Sequence, residues 1–318
     1  MGLLAFAWMA RAQPQPAASA GYPSKLIRFI LPFPPGGGTD ILGRVLTQKL
    51  TNAVGQPVVP ENRPGAGGNV GQELAAKAQP DGYTIVLCSP SIAISPSLYK
   101  KLGYDPLKDL VPIALVANIP NVLAVHSSVP ARSLKELVAL AKSRPGKLTF
   151  GTGGAGTANE LGAYLFTTMN KADMLIVPHK GVNQAMIALL GGHVDMVLVG
   201  VANSKPHVQA GKLRALAVLG PKRAAAMPEV PTAAESGMPW FDVQTWYGTL
   251  APAGTPQNII RYLNAEFVKI VNAPDVRQHL EGMGAEPLTS TPEEFAEFIK
   301  LEAQRWARVV KDSGAQVE

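Results

Sequence analysis

Short apolar runs alternate along this chain with stretches in which apolar residues recur every three or four positions. A repeat of that kind at 40–54 places Ile41, Val45, Leu46 and Leu50 on one face of a predicted helix. In the first part of the chain, strands are predicted at 26–33, 56–61 and 83–87, and helices at 40–54 and 69–78. Strands and helices alternating at this spacing predict a doubly wound α/β unit.

The same alternation restarts after Leu110. Strands are predicted at 111–117, 122–126, 148–150, 175–178, 194–199 and 213–219, and helices at 133–143, 159–169 and 183–190. Ser133 and Glu136 predict a capping box at the first of these helices. A strand at 243–251 then crosses back, followed by helices at 255–272, 275–283 and 291–313.

We therefore predict an α/β fold of two doubly wound lobes around a central ligand cleft. Lobe one comprises residues 21–120 plus 241–318, and lobe two comprises residues 121–240. The chain crosses between them near Asn121 and Phe241. In such folds ligands bind at the carboxyl ends of the strands, often between domains.

Two glycine-rich loops are the strongest candidates for a binding site. Pro34-Pro35-Gly36-Gly37-Gly38-Thr39-Asp40 and Gly151-Thr152-Gly153-Gly154-Ala155-Gly156-Thr157 each follow a predicted strand and open a predicted helix. Unpaired amides and the helix dipole favour an anion at such a place, although plain tight turns have similar sequences. Neither loop ends in the Lys-Ser/Thr pair of a phosphate-binding P-loop, and no ribose-binding acid follows, so no nucleotide is expected.

Other polar residues near strand ends are weaker candidates. Ser89 and Ser91 follow the strand at 83–87, where serines also serve as helix caps. Lys180, between His179 and Gly181, brings a cation to the predicted cleft or is a surface lysine. We find no metal-binding histidine pair and no Gly-x-Ser-x-Gly elbow. A Cys88–His179 nucleophilic pair, and hence a hydrolase, remains a minor alternative.

Composition narrows the choice of partners. The net charge is +6, but lysines and arginines are scattered and not interleaved with aromatic residues, so no nucleic acid is expected. The positive field instead helps attract anionic ligands. Cys88 is the only cysteine, which excludes an intramolecular disulfide.

The first 20 residues predict an export signal. An apolar run at 2–10 is followed by two small-x-small cleavage candidates, Ala10-Arg11-Ala12 and Ala18-Ser19-Ala20. A frayed helix or a lipid-facing anchor is the alternative. No later segment approaches the roughly 20 apolar residues that span a bilayer, and we expect the mature chain to start near Gly21 or Tyr22.

Several longer runs carry a resemblance to a known family. They are Tyr22-Pro23-Ser24-Lys25, Pro32-Phe33-Pro34-Pro35-Gly36-Gly37-Gly38-Thr39-Asp40, Glu61-Asn62-Arg63-Pro64-Gly65-Ala66-Gly67-Gly68-Asn69, Pro80-Asp81-Gly82-Tyr83-Thr84, Val230-Pro231-Thr232-Ala233-Ala234-Glu235-Ser236-Gly237 and Leu250-Ala251-Pro252-Ala253-Gly254-Thr255-Pro256. With these runs the chain, from Tyr22 to its C-terminus, resembles the Bug/TctC family, the extracytoplasmic solute receptors of tripartite tricarboxylate transporters.

The resemblance implies a periplasmic binding protein of the type II-like, Venus-flytrap kind, without catalysis, cofactor or metal. Such a receptor captures a di- or tricarboxylate or an aromatic acid and hands it to membrane permease subunits; we expect a monomer. A ligand-loaded sensor subunit for a membrane kinase is the alternative. The implied binding residues are Phe33, Pro35, Gly36, Gly37, Gly38, Thr39, Asp40, Ser89, Ser91, Thr152, Gly153, Gly154, Ala155, Gly156, Thr157, Lys180 and Gly181.

Two positions depart from the family pattern and complete the predicted site. His179 stands where the family commonly has a tyrosine, and its imidazole suggests pH-dependent ligand capture. Val199 stands where family members often carry an acid. Because that carboxylate is missing, a ligand ammonium lacks its partner, and we expect a carboxylate without an amino group.

Overall fold

Two β-sheets organise residues 21–317, the part of the chain that the computed structural model describes. The predicted export signal, residues 1–20, lies outside the described residues. The strands are β1 (Ile27–Leu31), β2 (Val58–Asn62), β3 (Thr84–Cys88), β4 (Leu110–Ile119), β5 (Asn121–His126), β6 (Thr149–Thr152), β7 (Leu175–Pro178), β8 (Met196–Gly200), β9 (Leu213–Val218), β10 (Thr245–Pro252) and β11 (Glu286–Pro287). The helices are α1 (Gly38–Val54), α2 (Asn69–Ala76), α3 (Ser91–Leu98), α4 (Leu134–Ser143), α5 (Ala158–Asn170), α6 (Val182–Leu190), α7 (Val201–Gln209), α8 (Gln257–Asn272), α9 (Pro274–Gly282) and α10 (Pro292–Ser313).

The predicted two-lobed α/β fold is confirmed by the topology of these sheets. The first sheet has the order β11-β4-β10-β3-β1-β2, and the second has the order β7-β6-β8-β5-β9. Strands β1, β2 and β3 run parallel, as do β6, β7 and β8, whereas the returning strand β10 is antiparallel to both of its neighbours. The chain passes from one sheet to the other at Pro120, between β4 and β5. We keep the names lobe one and lobe two for the ranges assigned from the sequence.

Apolar faces of the helices hold each lobe together. In lobe one, Phe29 of β1 packs edge-on against Phe267 of α8, and both rings are fully buried. In lobe two, Phe166 of α5 contacts Phe150 of β6 and also Phe241, where the chain returns to lobe one. The long helix α10 packs mainly on α3 and β4 of lobe one and also on α5 of lobe two. No helix within residues 21–317 has both the length and the apolar content to span a bilayer.

The helices α3 and α7 were not predicted. Each contains a proline, Pro96 or Pro206. Proline disfavours a helix because it has no N–H to donate and because its ring clashes with the preceding turn. Burial outweighs this cost in α3, where Ile92, Ala93 and Ile94 are fully enclosed. Both helices begin directly after a strand and are positioned by the sheet rather than by their own helix propensity.

The capping box predicted at α4 is only half formed. Ser133 Oγ accepts from Glu136 N at 3.2 Å, but the Glu136 carboxylate accepts from Arg132 N instead of Ser133 N. The complete reciprocal box occurs at α10, between Thr291 and Glu294.

Candidate functional site

A cavity of about 280 Å³ lies between the lobes. Lobe one contributes the loop between β1 and α1 and the start of α3. Lobe two contributes the starts of α5, α6 and α7. The crossing strands β4, β5 and β10 contribute Ile119, Asn121, Thr245 and Tyr247.

Helix N-termini converge on this cavity. The N-cap residues of α1, α3, α5, α6 and α7 all line it: Gly37, Pro90, Thr157, Gly181 and Gly200. Only the α5 helix has a side-chain cap among these five, because Thr157 Oγ1 accepts from Glu160 N. The positive ends of the helix dipoles therefore point at one small space.

Free backbone donors lie at the starts of these helices, and those of α1 and α6 belong to different lobes. The N–H groups of Gly38, Thr39 and Asp40 at the start of α1 have no acceptor within residues 21–317. The same is true of Val182 and Asn183 at the start of α6, within those residues. A carboxylate has two oxygen atoms that accept such bonds, and helix N-termini are ready-made anion sites.

Side-chain charge in the cavity has one sign. Lys180 is the one charged residue of the described chain that lines the cavity, and its side chain is exposed. No carboxylate among the described residues lines the cavity. Electrostatics therefore favour an anionic ligand and oppose an isolated cation.

The predicted site residues fall into two groups. Those that line the cavity are Phe33, Pro35, Gly37, Gly38, Thr39, Ser89, Gly153, Thr157, Lys180 and Gly181. Those that do not line it are Gly36, Asp40, Ser91, Thr152, Gly154, Ala155, Gly156, His179 and Val199. The second group lies next to the first but has other partners.

Asp40 supports the first glycine loop from behind. Its carboxylate accepts from Gly36 N at 3.0 Å, from Arg44 Nε at 3.0 Å and from Asn62 Nδ2 at 2.9 Å. Burial raises the pKa of Asp40, but the hydrogen bonds from Arg44, Gly36 and Asn62 outweigh it and bring the pKa below its ordinary value. Asp40 therefore stays ionised near neutral pH and fixes the loop without facing the cavity.

The second glycine loop contacts lobe one instead of ending in solvent. Tyr99 Oη donates to the carbonyl oxygen of Ala155 at 3.4 Å. A Cβ added at Gly67 would lie 2.6 Å from that same oxygen and 3.2 Å from Gly156 Cα. Ala155 and Gly156 thus form the lobe-two side of a tight contact between the lobes.

The remaining non-lining residues are held in the interior or at its edge. Ser91 Oγ accepts from Gln72 Nε2 at 3.0 Å, and Thr152 is fully buried. The His179 imidazole is hydrogen-bonded through Nδ1 to Val177 O at 2.9 Å and does not line the cavity. The predicted pH dependence of ligand capture stays a prediction. Val199 packs in the core of lobe two, and the next residue, Gly200, lines the cavity in its place.

Several cavity residues were not predicted, above all Asn121, Asn159, Asn183 and Tyr247. Tyr247 is enclosed beside the first loop, since a Cβ at Gly38 would lie 3.2 Å from its hydroxyl oxygen. Burial raises the pKa of Tyr247, and a hydrogen bond with Thr39 opposes that rise only in part. The sequence offered one signal for the asparagines: Asn121 follows Pro120 at a strand boundary, and Asn159 and Asn183 start predicted helices.

The described residues do not support a catalytic Cys88 or a metal-binding site. Cys88 is fully buried in β3 and does not line the cavity, and burial raises the pKa of its thiol. Within residues 21–317, no three His, Cys, Asp or Glu side chains are grouped to hold a metal ion.

Comparison with known proteins gives one consistent result. The BugT protein of Bordetella pertussis is 39% identical over 305 residues, which cover 95% of this chain and 94% of BugT. A solved R. palustris protein with adipate is 34% identical with a TM-score of 0.87, covering 93% of this chain and 100% of that one. MatC from Rhodopseudomonas palustris, solved with bound malate, is 32% identical with a TM-score of 0.82, covering 91% of this chain and 100% of MatC.

The similar solved chains include periplasmic binding proteins, among them BugD, and the chain is accordingly a binding protein and not an enzyme. Residues 42–315 match TctC, described as the tripartite tricarboxylate transporter family receptor. The chain belongs to this receptor family.

Proposed function

We propose that this protein captures a small carboxylate anion in the periplasm and delivers it to the membrane permease subunits of a tripartite tricarboxylate transporter. The observation that carries the proposal is the set of free amides at the starts of α1 and α6, on opposite sides of one cavity. Carboxylate oxygens are the natural acceptors for such donors. Lys180 adds the only side-chain charge in the described lining, and it has the matching sign.

The relatives support the ligand class and the partner. Two similar proteins are solved with adipate and with malate, both carboxylates. The family description includes the tripartite tricarboxylate transporter. The predicted export signal at 1–20 agrees with a periplasmic location.

Capture follows from the two-lobed arrangement. A carboxylate that is already hydrogen-bonded to the α1 amides can also accept from the α6 amides when the lobes approach each other. A ligand that touches both lobes binds the closed arrangement more tightly than the open one, so it shifts the population toward closure.

Direct binding measurements test the proposal. The purified chain, after removal of any copurified acid by partial unfolding and dialysis, is titrated calorimetrically with a panel of mono-, di-, tri- and aromatic carboxylates. We expect saturable binding of at least one acid, a raised melting temperature with that acid, and no chemical conversion of it. Binding of uncharged analogues such as the methyl esters with equal affinity would contradict an anion site.

Delivery needs a separate measurement. Uptake of the bound acid by cells that express tripartite tricarboxylate transporter permease subunits should require this protein. Uptake that is equal with and without the protein, for an acid that it binds, would contradict the transport role and leave the sensing alternative.

A further inference from the structure

Two asparagine side chains in the cavity are oriented by main-chain carbonyls. Asn121 Nδ2 donates to Val243 O at 2.9 Å and to Thr245 Oγ1 at 3.0 Å. Asn159 Nδ2 donates to Leu198 O at 2.6 Å. Because a carbonyl oxygen can only accept, each NH₂ group must point at its carbonyl, and each Oδ1 must point the other way.

Both Oδ1 atoms are left without a protein donor. Neither accepts a hydrogen bond from any residue between 21 and 317. The described side-chain atoms that are fully enclosed and unpaired are Ser95 Oγ and Asn118 Oδ1, so the two oxygens in question keep contact with open space. Asn121 is only 2% exposed and both residues line the cavity, which makes the cavity that space.

The cavity therefore offers acceptors as well as donors. The helix starts present N–H donors, and the side-chain oxygens of Asn121 and Asn159, which we call the acceptor pair, present acceptors. A ligand that offers only carboxylate and hydrocarbon leaves these acceptors unpaired in a closed site, and an unpaired buried acceptor is costly.

The charge of the cavity restricts the matching donor. An ammonium group would meet the acceptors, but no carboxylate among the described residues lines the cavity to neutralise it. Lys180 and the helix dipoles would repel it. An uncharged O–H satisfies the acceptors without that penalty.

We propose that the ligand is a hydroxycarboxylate, whose carboxylate is held by the helix amides and whose hydroxyl donates to the acceptor pair. This inference rests on the proposed function and narrows its ligand class. A site built to bond a hydroxyl discriminates strongly against the analogue that lacks it, because the protein acceptor is then stranded.

Matched ligand pairs test the inference. Dissociation constants are measured calorimetrically for succinate and malate, adipate and 3-hydroxyadipate, and benzoate and 3-hydroxybenzoate, with aspartate as the ammonium analogue of malate. In at least one pair we expect the hydroxy acid to bind about tenfold or more tightly than its parent. We also expect malate to bind more tightly than aspartate.

Variants connect the preference to the two residues. The ratio of the two dissociation constants should fall toward one in Asn159→Ala, in Asn121→Ala or in both. Asn170→Ala is the matched control, because Asn170 lies on the same helix as Asn159 and makes the same bond from Nδ2 to a carbonyl, that of Phe166, at 2.8 Å. The control should keep the ratio of the unmodified protein.

The outcomes separate this inference from the proposed function. If no carboxylate of any skeleton binds, the proposed function fails. Suppose that carboxylates bind, but each parent acid binds as tightly as its hydroxy partner or more tightly, or aspartate binds more tightly than malate. The hydroxycarboxylate inference is then overturned and the anion site stands. A preference for the hydroxy acid that both asparagine variants retain also overturns the inference. If a variant does not fold, the ratio of dissociation constants in the unmodified protein decides alone.

Discussion

Asn183 of lobe two donates from Nδ2 to the main-chain carbonyl oxygen of Gly36 in lobe one, at 3.2 Å. This bond joins the loop before α1 to the start of α6, and both of these elements line the cavity. It forms only while the lobes are close together, so it adds to the stability of the closed arrangement and not to that of either lobe.

Asn183→Ala should therefore weaken ligand binding without unfolding the protein. A hydrogen bond of this kind contributes about 0.5–1.5 kcal/mol, which corresponds to a loss of affinity of up to about tenfold. Calorimetry measures the affinity and a thermal melt without ligand measures the stability. Asn272→Ala, which removes an exposed bond to Val268 O in α8, is the control and should leave affinity unchanged.

The contact of Gly67 with Ala155 tests closure in a second way. Gly67→Ala places a Cβ 2.6 Å from Ala155 O, so the lobes must move apart. Gly67 also has a φ of +64°, and an alanine there is strained by about 1 kcal/mol. We expect the variant to lose both stability and at least fivefold in affinity.

Gly55→Ala separates these two effects. Gly55 has a similar φ of +69°, but nothing lies within 4 Å of an added Cβ. This control should lose a similar amount of stability and keep its affinity. An equal loss of affinity in both variants would show that the Gly67–Ala155 contact plays no part in capture.

Asp40 predicts a pH-dependent contribution to stability. Its pKa is lowered in the folded protein, so its stabilising effect is fully present above the pKa of the unfolded chain, about 3.9, and is lost as the pH falls through the folded value. Asp40→Asn should cost about 1–2 kcal/mol at pH 7, a figure that allows for the half-exposed Arg44 partner. The difference from the unmodified protein should shrink below about pH 4.

Urea unfolding at pH 7, 5 and 3.5 measures this difference. Asp275→Asn provides the comparison, because Asp275 pairs with Lys49 but is 61% exposed. We expect a clearly smaller loss there, because solvent screens an exposed ion pair. A loss for Asp40→Asn that does not change with pH would contradict an ionised Asp40 as the support of the glycine loop.

Cys88 should be chemically silent in the folded protein. It is fully buried, and burial raises the pKa of its thiol, so little reactive thiolate forms. A disulfide reagent such as DTNB should not react with the native chain and should release one thiol per chain in guanidinium. Fast reaction of the native chain would contradict the burial of Cys88.

The order strand, glycines, helix predicts an anion site from local sequence, and both glycine loops contribute residues to the cavity lining. Each glycine loop lies where a strand ends, at the carboxyl edge of its own sheet, whereas the meeting of the two sheets depends on contacts distant in sequence. Gly37, Thr39 and Thr157, which were predicted in this way, line the cavity. A local sequence signal can indicate such donors because they are backbone amides and not particular side chains.

The acceptor side of the cavity depends on contacts that are distant in sequence. Asn121 bonds to Val243 and Thr245 on the returning crossing, more than 120 positions away. Nothing near Asn121 in the chain specifies that partner. An asparagine at the start of a predicted helix, such as Asn159, has the sequence pattern of an ordinary helix cap. That pattern does not predict a contact with a ligand.

Val199 and Gly200 are neighbours in β8 but have different surroundings. Both faces of β8 are buried, with Leu198 in one hydrophobic core and Val199 in another, so the strand reaches the cavity only at its carboxyl end. Val199 pairs with Val122 and is buried, whereas Gly200 lines the cavity. The predicted lack of an acidic ligand partner therefore applies to the whole described lining rather than to Val199 alone.

Gly37→Asp places a competing carboxylate at the free amides of the α1 start, which we propose hold the carboxylate of the ligand. Gly37 has a φ of −83° and a ψ of 170°, and an added Cβ would lie no closer than 3.8 Å to Pro34 O, so aspartate fits as an N-cap. Its carboxylate would occupy the Thr39 and Asp40 amides and repel the ligand.

Calorimetric affinity and melting temperature are measured for Gly37→Asp beside Gly37→Ala, which adds the Cβ without the charge. We predict that Gly37→Asp melts at the same or a higher temperature and binds its carboxylate at least about 100-fold more weakly, while Gly37→Ala stays within about tenfold of the unmodified protein. Native affinity in Gly37→Asp would contradict the account.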